Sequence, residues 1–384
     1  MHKKTLRLIL TSTFLLLALS SYSQYDSIPY GGNDRTFLVH LPTGYTGNTN
    51  LPLVIAMHGG FGSGPQLENQ SQLSVKSDNE GFIVVYPEGV KSPLGIRTWN
   101  AGWCCGYASN SNVDDVGFIN ALLDTLMNNY AIDTNKVYAT GMSNGGFMSY
   151  RLACELSERI AAIAPVAASM TMTSCNPQRP MPIISFHSYL DTNIPYNGGV
   201  GSGFSNHYSP PQDSVLNAWA SMNGCLILND TIIDNSQYTH INWNNCNCNA
   251  EIQQYITQDG GHSWPGGNQS PGGDPVSNYI NATDLMWPFF QQFSLDCNPL
   301  SISNEVVEDD LIKVFPNPSN KLIKIQPYKG WKNIQVSFFN LQGKEILSTI
   351  NQTEIDISSL SNGLVLMKVE IDNNVKTYKL LKTE

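Results

Sequence analysis

Gly141-Met-Ser143-Asn-Gly145 sets a serine between two glycines. This is the G-x-S-x-G pattern of a sharp strand-to-helix turn that holds a hydroxyl clear of the backbone. A serine hydroxyl attacks an acyl carbon only if a base removes its proton and a carboxylate orients that base. In chains with this turn the partners follow in the order Ser, Asp, His. Asp191 in His187-Ser-Tyr-Leu-Asp191 and His262 in Gly260-Gly-His262-Ser-Trp264 each lie just past an apolar run that reads as a strand. Ser143, Asp191 and His262 are therefore the expected nucleophile, acid and base. The tetrahedral intermediate also needs donors for its oxyanion. The Asn144 N–H, directly after the nucleophile, is one expected donor, and Gly60 or Phe61 in His58-Gly-Gly-Phe61 supplies the other. The competing reading of both glycine segments is an ordinary turn.

Of the remaining histidines, His58 precedes the nucleophile in the chain, and His187 ends a strand and reads as a packed or loop-bracing side chain. His207 and His240 fall in polar loop sequence. Trp99, Asn100, Trp103 and Trp264 sit beside the expected site loops. Their rings and amide suit a bound aromatic acyl group, a sugar or a polyester chain. The alternative for the tryptophans is packing beneath the loops.

A triad on separate loops needs a rigid frame. Residues 51–57, 81–86, 136–140, 160–166, 182–186 and 252–256 read as buried strands, and residues 113–129, 144–156, 211–222 and 281–293 as helices. Alternating apolar strands and amphipathic helices predict a doubly wound, mostly parallel α/β sheet. Reactive groups then gather at the carboxyl ends of its strands.

The 384-residue chain opens with Lys3, Lys4 and Arg7 before the apolar run 8–19. Ser21 and Ser23 place small residues at the minus-three and minus-one positions of a cut before Gln24, so residues 1–23 read as a secretory signal peptide. The run is shorter than the roughly 20 residues of a membrane span, and no membrane span is expected in the mature form. Eight cysteines between residues 104 and 297, without zinc-type spacing, fit disulfides in an exported protein and no metal or other cofactor. A bond between neighbours is strained, so Cys104 and Cys105 are each expected to have a distant partner.

Charge divides the chain. Residues 24–311 carry 8 Lys and Arg against 25 Asp and Glu, a net of −17, whereas residues 312–384 carry 10 against 6, a net of +4. The boundaries expected are 24–297 for the α/β domain, 298–311 for a linker and 312–384 for a small all-β domain. The acidic body excludes nucleic acid as a partner, since phosphates need clustered Lys and Arg.

Residues 35–295 resemble the secreted α/β-hydrolase esterases called polyhydroxybutyrate depolymerases, feruloyl esterases and acetylxylan esterases (carbohydrate esterase family one). The residues that carry this likeness are 53–60, Trp99-Asn-Ala-Gly-Trp-Cys-Cys-Gly106, Val113-Asp-Asp-Val-Gly117, 138–146, Arg151-Leu-Ala-Cys-Glu155 and 260–266. The resemblance implies the same roles for Ser143, Asp191 and His262. Ser188 replaces the glycine usual before the acid. Residues 313–384 resemble the type IX secretion sorting module of Bacteroidetes through Phe315-Pro-Asn-Pro318, Asn340-Leu-Gln-Gly343, residues 355–363 and Lys379-Leu-Leu-Lys382, with Leu364 in place of an aromatic. A carbohydrate-binding β-sandwich is the alternative for this module. The resemblance implies a secreted or surface-attached serine esterase whose partners are an ester-bearing polysaccharide and the type IX machinery. A polyester substrate is the second expectation, and a non-catalytic binding protein on the same fold the third.

Overall fold

A computed structural model describes residues 22–172, 174–203, 206–226, 229–296, 313–326, 331–340, 344–372 and 374–383. The signal-peptide residues up to 21, the 298–311 connection and Cys297 lie outside the described residues. The chain divides into two compact units, Met1–Leu300 and Ser301–Glu384.

The first unit is built on a ten-stranded sheet. Its strands are β1 (Tyr22–Tyr30), β2 (Asn33–Leu41), β3 (Leu51–Met57), β4 (Ile83–Pro87), β5 (Ile132–Met142), β6 (Ala162–Val166), β7 (Ile183–Ser188), β8 (Asp230–Asp234), β9 (Tyr238–Trp243) and β10 (Ile252–Thr257). They lie in the order β1-β2-β4-β3-β5-β6-β7-β10-β9-β8. The centre, from β4 through β10, is parallel, and antiparallel hairpins finish both edges. This is the α/β-hydrolase architecture expected from the sequence.

The apolar runs are continuous because the parallel strands are buried on both faces. Along β3, Leu53, Ile55 and Met57 enter one core while Val54 and Ala56 enter the other. Helices α4 (Asp115–Asn129), α5 (Asn144–Glu155) and α6 (Gln212–Met222) cover the first face. Helices α1 (Gly64–Ser71), α2 (Leu73–Glu80) and α7 (Ala282–Phe290) cover the second. The short α3 (Gly106–Asn110) stands on the loop before α4. Asp114 caps α4 by accepting the Gly117 N–H at 2.9 Å. No helix among the described residues is long and apolar enough to cross a membrane.

Cys154 is bonded to Cys175 and Cys225 to Cys246. Cys104 is bonded to Cys105, which corrects the expectation of distant partners. The two residues are neighbours in the chain with Cα atoms 3.0 Å apart, which brings their sulfurs within reach of each other. Cys248 is also disulfide-bonded.

The second unit holds β11 (Lys313–Phe315), β12 (Leu322–Gln326), β13 (Ile334–Phe339), β14 (Glu345–Ile350), β15 (Glu354–Asp356), β16 (Gly363–Ile371) and β17 (Asn374–Lys382). They form two antiparallel sheets, β11-β12-β15 and β14-β13-β16-β17. Period-two alternation buries Ile323, Ile325, Val336, Phe338, Val365, Met367 and Val369 in a core of its own.

Candidate active site

Ser143 is the hinge between β5 and α5, at φ 53° and ψ −122°. This is a left-handed conformation that a residue with a Cβ adopts at a cost. It is tolerated because the flanking glycines let the backbones close up. A Cβ on Gly145 would overlap the Met57 carbonyl at the end of β3, and one on Gly141 would overlap Gly145 itself. The strained turn lines a cleft of about 660 Å³. Both Ser143 and His262 line it, together with His58, the 59–62 loop, Tyr107, Phe147 and Asp274.

Asp191 lies three residues beyond β7 and His262 five beyond β10, its neighbour in the sheet. His262 Nδ1 is 2.8 Å from Asp191 Oδ2. The other oxygen, Oδ1, accepts the N–H groups of Asn193 at 2.9 Å and Ile194 at 2.8 Å. Burial pushes the Asp191 carboxyl upward, but His262, His187 and the Ile194 N–H outweigh it and hold it below the usual carboxylate range. His187 donates from Nε2 to the Ile194 carbonyl at 2.8 Å, the loop-bracing role expected of it. Ser188 does not disturb the acid loop. Its hydroxyl donates to the Asp259 carbonyl at 2.9 Å and accepts the Leu190 N–H at 3.0 Å.

Two contributors were not legible in the sequence. Asp274 accepts the His262 backbone N–H at 2.7 Å and so helps to fix the placement of that residue. Nothing in the spacing of Ser270-Pro-Gly-Gly-Asp274 ties it to residue 262. His58, set aside as a base, is buried under the glycine loop it opens. Its Nδ1 bonds the Gly59 carbonyl at 2.7 Å and its Nε2 accepts the Gly89 N–H at 3.0 Å. These partners require the neutral ring protonated on Nδ1. Burial drives its pKa down to about 4.

The expectations for five residues need correction. Trp99 and Trp264 are both 0% exposed. Trp264 donates from Nε1 to Thr283 Oγ1 at 3.0 Å, and Trp99 from Nε1 to the His58 carbonyl at 3.0 Å. Both rings pack beneath the loops instead of facing the cleft. Asn100 is buried with its amide on the Val113 carbonyl at 2.9 Å. Trp103 is 74% exposed, yet Cys105, Gly106 and Tyr107 line the cleft in its place. Phe61 cannot serve as an oxyanion donor here, because its N–H donates to the Arg97 carbonyl at 3.0 Å. Its ring, 55% exposed, reaches the cleft instead. The N–H groups of Gly60 and Asn144 remain without a partner among the described residues. For Asn144 this follows from its place at the start of α5, where helical N–H groups have no carbonyl below them.

One cluster of metal-type donors occurs among the described residues, Cys104, Cys105 and His207. Its two sulfurs are bonded to each other and are not thiolates.

Comparison with known proteins bears on both units. Residues 36–174 match the family described as esterase PHB depolymerase, and residues 313–383 match the secretion system C-terminal sorting domain. Feruloyl esterase B of Piromyces equi is 30% identical over 278 residues, covering 68% of this chain and 46% of that protein. A bifunctional acetylxylan esterase/xylanase of Neocallimastix patriciarum is 26% identical over 277 residues, covering 71% of this chain and 35% of that protein. The chain thus spans less than half the length of these two relatives. An acetyl xylan esterase structure from Aspergillus awamori aligns with a TM-score of 0.48 at 17% identity, over 70% of this chain and 99% of that one. The chain thus joins a region similar to the family described as esterase PHB depolymerase to one similar to a secretion system C-terminal sorting domain.

Proposed function

We propose that this chain is a secreted serine carboxylic ester hydrolase that releases feruloyl or acetyl groups from plant cell-wall polysaccharide. The observation that carries the reading is the 2.8 Å bond between His262 Nδ1 and Asp191 Oδ2, with His262 and the strained Ser143 on one cleft. In the proposed reaction His262 takes the Ser143 proton as Oγ attacks the ester carbonyl. Asp191 holds the ring in the Nδ1–H tautomer and stabilises the imidazolium. The N–H groups of Asn144 and Gly60 receive the oxyanion, a contribution of about 3 kcal/mol per donor. Collapse expels the sugar hydroxyl with the proton from His262, and water repeats the sequence on the acyl-enzyme.

The substrate class rests on the names of the relatives and on the cleft. Phe61, Tyr107 and Phe147 are interleaved there with Gln66, Gln70, Ser92, Asn193 and Ser202. Aromatic faces beside amides and hydroxyls suit an acylated sugar better than the flat apolar surface of a polymer film. A polyester depolymerase is the second reading, favoured by the description of the matching family. The tail is proposed to pass the enzyme to type IX secretion machinery.

A phosphonate probe will label Ser143 if the catalytic reading holds, and no labelling would leave a binding protein. The substrate is tested by kcat/KM on methyl ferulate, acetylated xylo-oligosaccharide and hydroxybutyrate oligomers. A tenfold ratio is only about 1.4 kcal/mol of transition-state discrimination. A preference well beyond that for the hydroxybutyrate oligomers, with clearing of a polymer suspension, would replace the first reading by the second.

A further inference from the structure

The two oxyanion donors come from different segments, Asn144 at the start of α5 and Gly60 in the loop after β3. Chain connectivity does not hold their separation. Resting on the serine-esterase reading above, we propose that Trp99 is the positioning residue that clamps both donors of the oxyanion hole in register.

Its main chain holds one side. The Trp99 N–H donates to Asn144 Oδ1 at 2.6 Å, and the Trp99 carbonyl accepts from Asn144 Nδ2 at 3.0 Å. This two-point pairing fixes the residue whose own N–H faces the reacting carbonyl. Its side chain holds the other side. Nε1–H donates to the His58 carbonyl at 3.0 Å, and the indole lies against the His58 ring with centroids 5.3 Å apart. His58 begins the segment that carries Gly60. A phenylalanine could fill similar space but would leave the buried His58 carbonyl unpaired. Tryptophan combines an apolar body with a donor at its edge.

The clamp is itself anchored from below. Asp115 Oδ2 accepts the N–H of Asn100, the next residue, at 2.7 Å, while Asp115 Oδ1 pairs with Arg35 at 2.7 Å. Arg151 Nη1 donates to the Asn100 carbonyl at 2.7 Å. Three sequence segments that read as separate motifs, 99–106, 113–117 and 151–155, thus converge behind a single residue. Trp99 is wholly buried and does not line the cleft, so its effect is expected in the transition state and not in ground-state binding.

The test uses Trp99→Phe in the full chain, with active sites counted by phosphonate titration. The expected result is kcat lower by ~10–100-fold per titrated site with KM within about 2-fold of wild type. Affinity for an alkyl boronate, whose tetrahedral anion mimics the oxyanion, is expected to fall by the same factor. Raised KM at unchanged kcat would make the ring a substrate contact and overturn the clamp. Unchanged kcat and boronate affinity with a lower Tm would reduce Trp99 to core packing. Should the variant fail to fold, Asn144→Ala breaks the other arm, where the same kcat loss at constant KM supports the clamp and wild-type kcat overturns it. Absence of phosphonate labelling of wild-type Ser143 would instead remove the esterase reading, and the clamp with it.

Discussion

Asp191 divides its two carboxylate oxygens between two tasks: Oδ2 meets His262 Nδ1 at 2.8 Å while Oδ1 gathers the N–H groups of Asn193 and Ile194. The acid is held by its own loop and has one oxygen left for the base. Asp191→Asn keeps the shape but presents an amide where an acceptor is needed, which favours the wrong imidazole tautomer. We expect kcat to fall by ~10⁴-fold with KM little changed. Near-wild-type turnover by the purified variant would remove Asp191 from the mechanism.

Ser143→Ala removes the nucleophile and relieves none of the turn's geometry, since alanine retains the Cβ that φ 53° disfavours. Ester turnover is expected to drop by roughly 10⁴ to 10⁶, with an unchanged circular dichroism spectrum. Residual rates above that range, in protein expressed free of contaminating esterase, would mean another residue attacks.

Stability is expected to decline on the acid side of neutrality through His58. Below the ordinary histidine value of 6.5 the unfolded chain takes up a proton that folded His58 refuses until about pH 4. The stabilisation is complete above 6.5 and is lost as pH falls through that window, by roughly 3 kcal/mol in all. His187, its pKa also lowered by burial, acts in the same direction. Thermal unfolding from pH 7 to 4 is expected to show a shallower fall in Tm for His58→Gln than for wild type. Parallel curves would show that this ring is not the titrating group.

A chain ending near residue 298 is expected to fold and to keep the proposed esterase activity. The first compact unit carries the whole cleft and every disulfide identified between described residues. In the native host the same truncation is expected to trap the enzyme in the periplasm. Cell fractionation decides it, and undiminished export would deny the tail its sorting role.

The frame was readable because burial on both faces writes continuous apolar runs into β3, β4, β5 and β6, and each run stops where a loop residue must emerge. The meeting of Asp191 and His262 could be anticipated from the same rule, as each follows a strand end. Orientation inside loops could not. Trp99 and Trp264 stand among glycines and small polar residues, and such segments have no period to say which side faces in. The joining of Cys104 to Cys105 was hidden for a related reason, since cysteine spacing carries no record of how a loop folds back. Asp274 approaches His262 from twelve residues away through a turn that only the folded chain defines.

The Ser188 hydroxyl, bonded to the Asp259 carbonyl, stitches the loop of the acid to the loop of the base just above the paired strands β7 and β10. Acid and base therefore travel as one piece. Ser143 rides on β5, with β6 between it and that piece. On heating, the gap expected to open first is the one between Ser143 and His262, while the imidazole keeps its carboxylate. Loss of activity ahead of unfolding would then be a failure of alignment between two intact halves, recoverable on cooling.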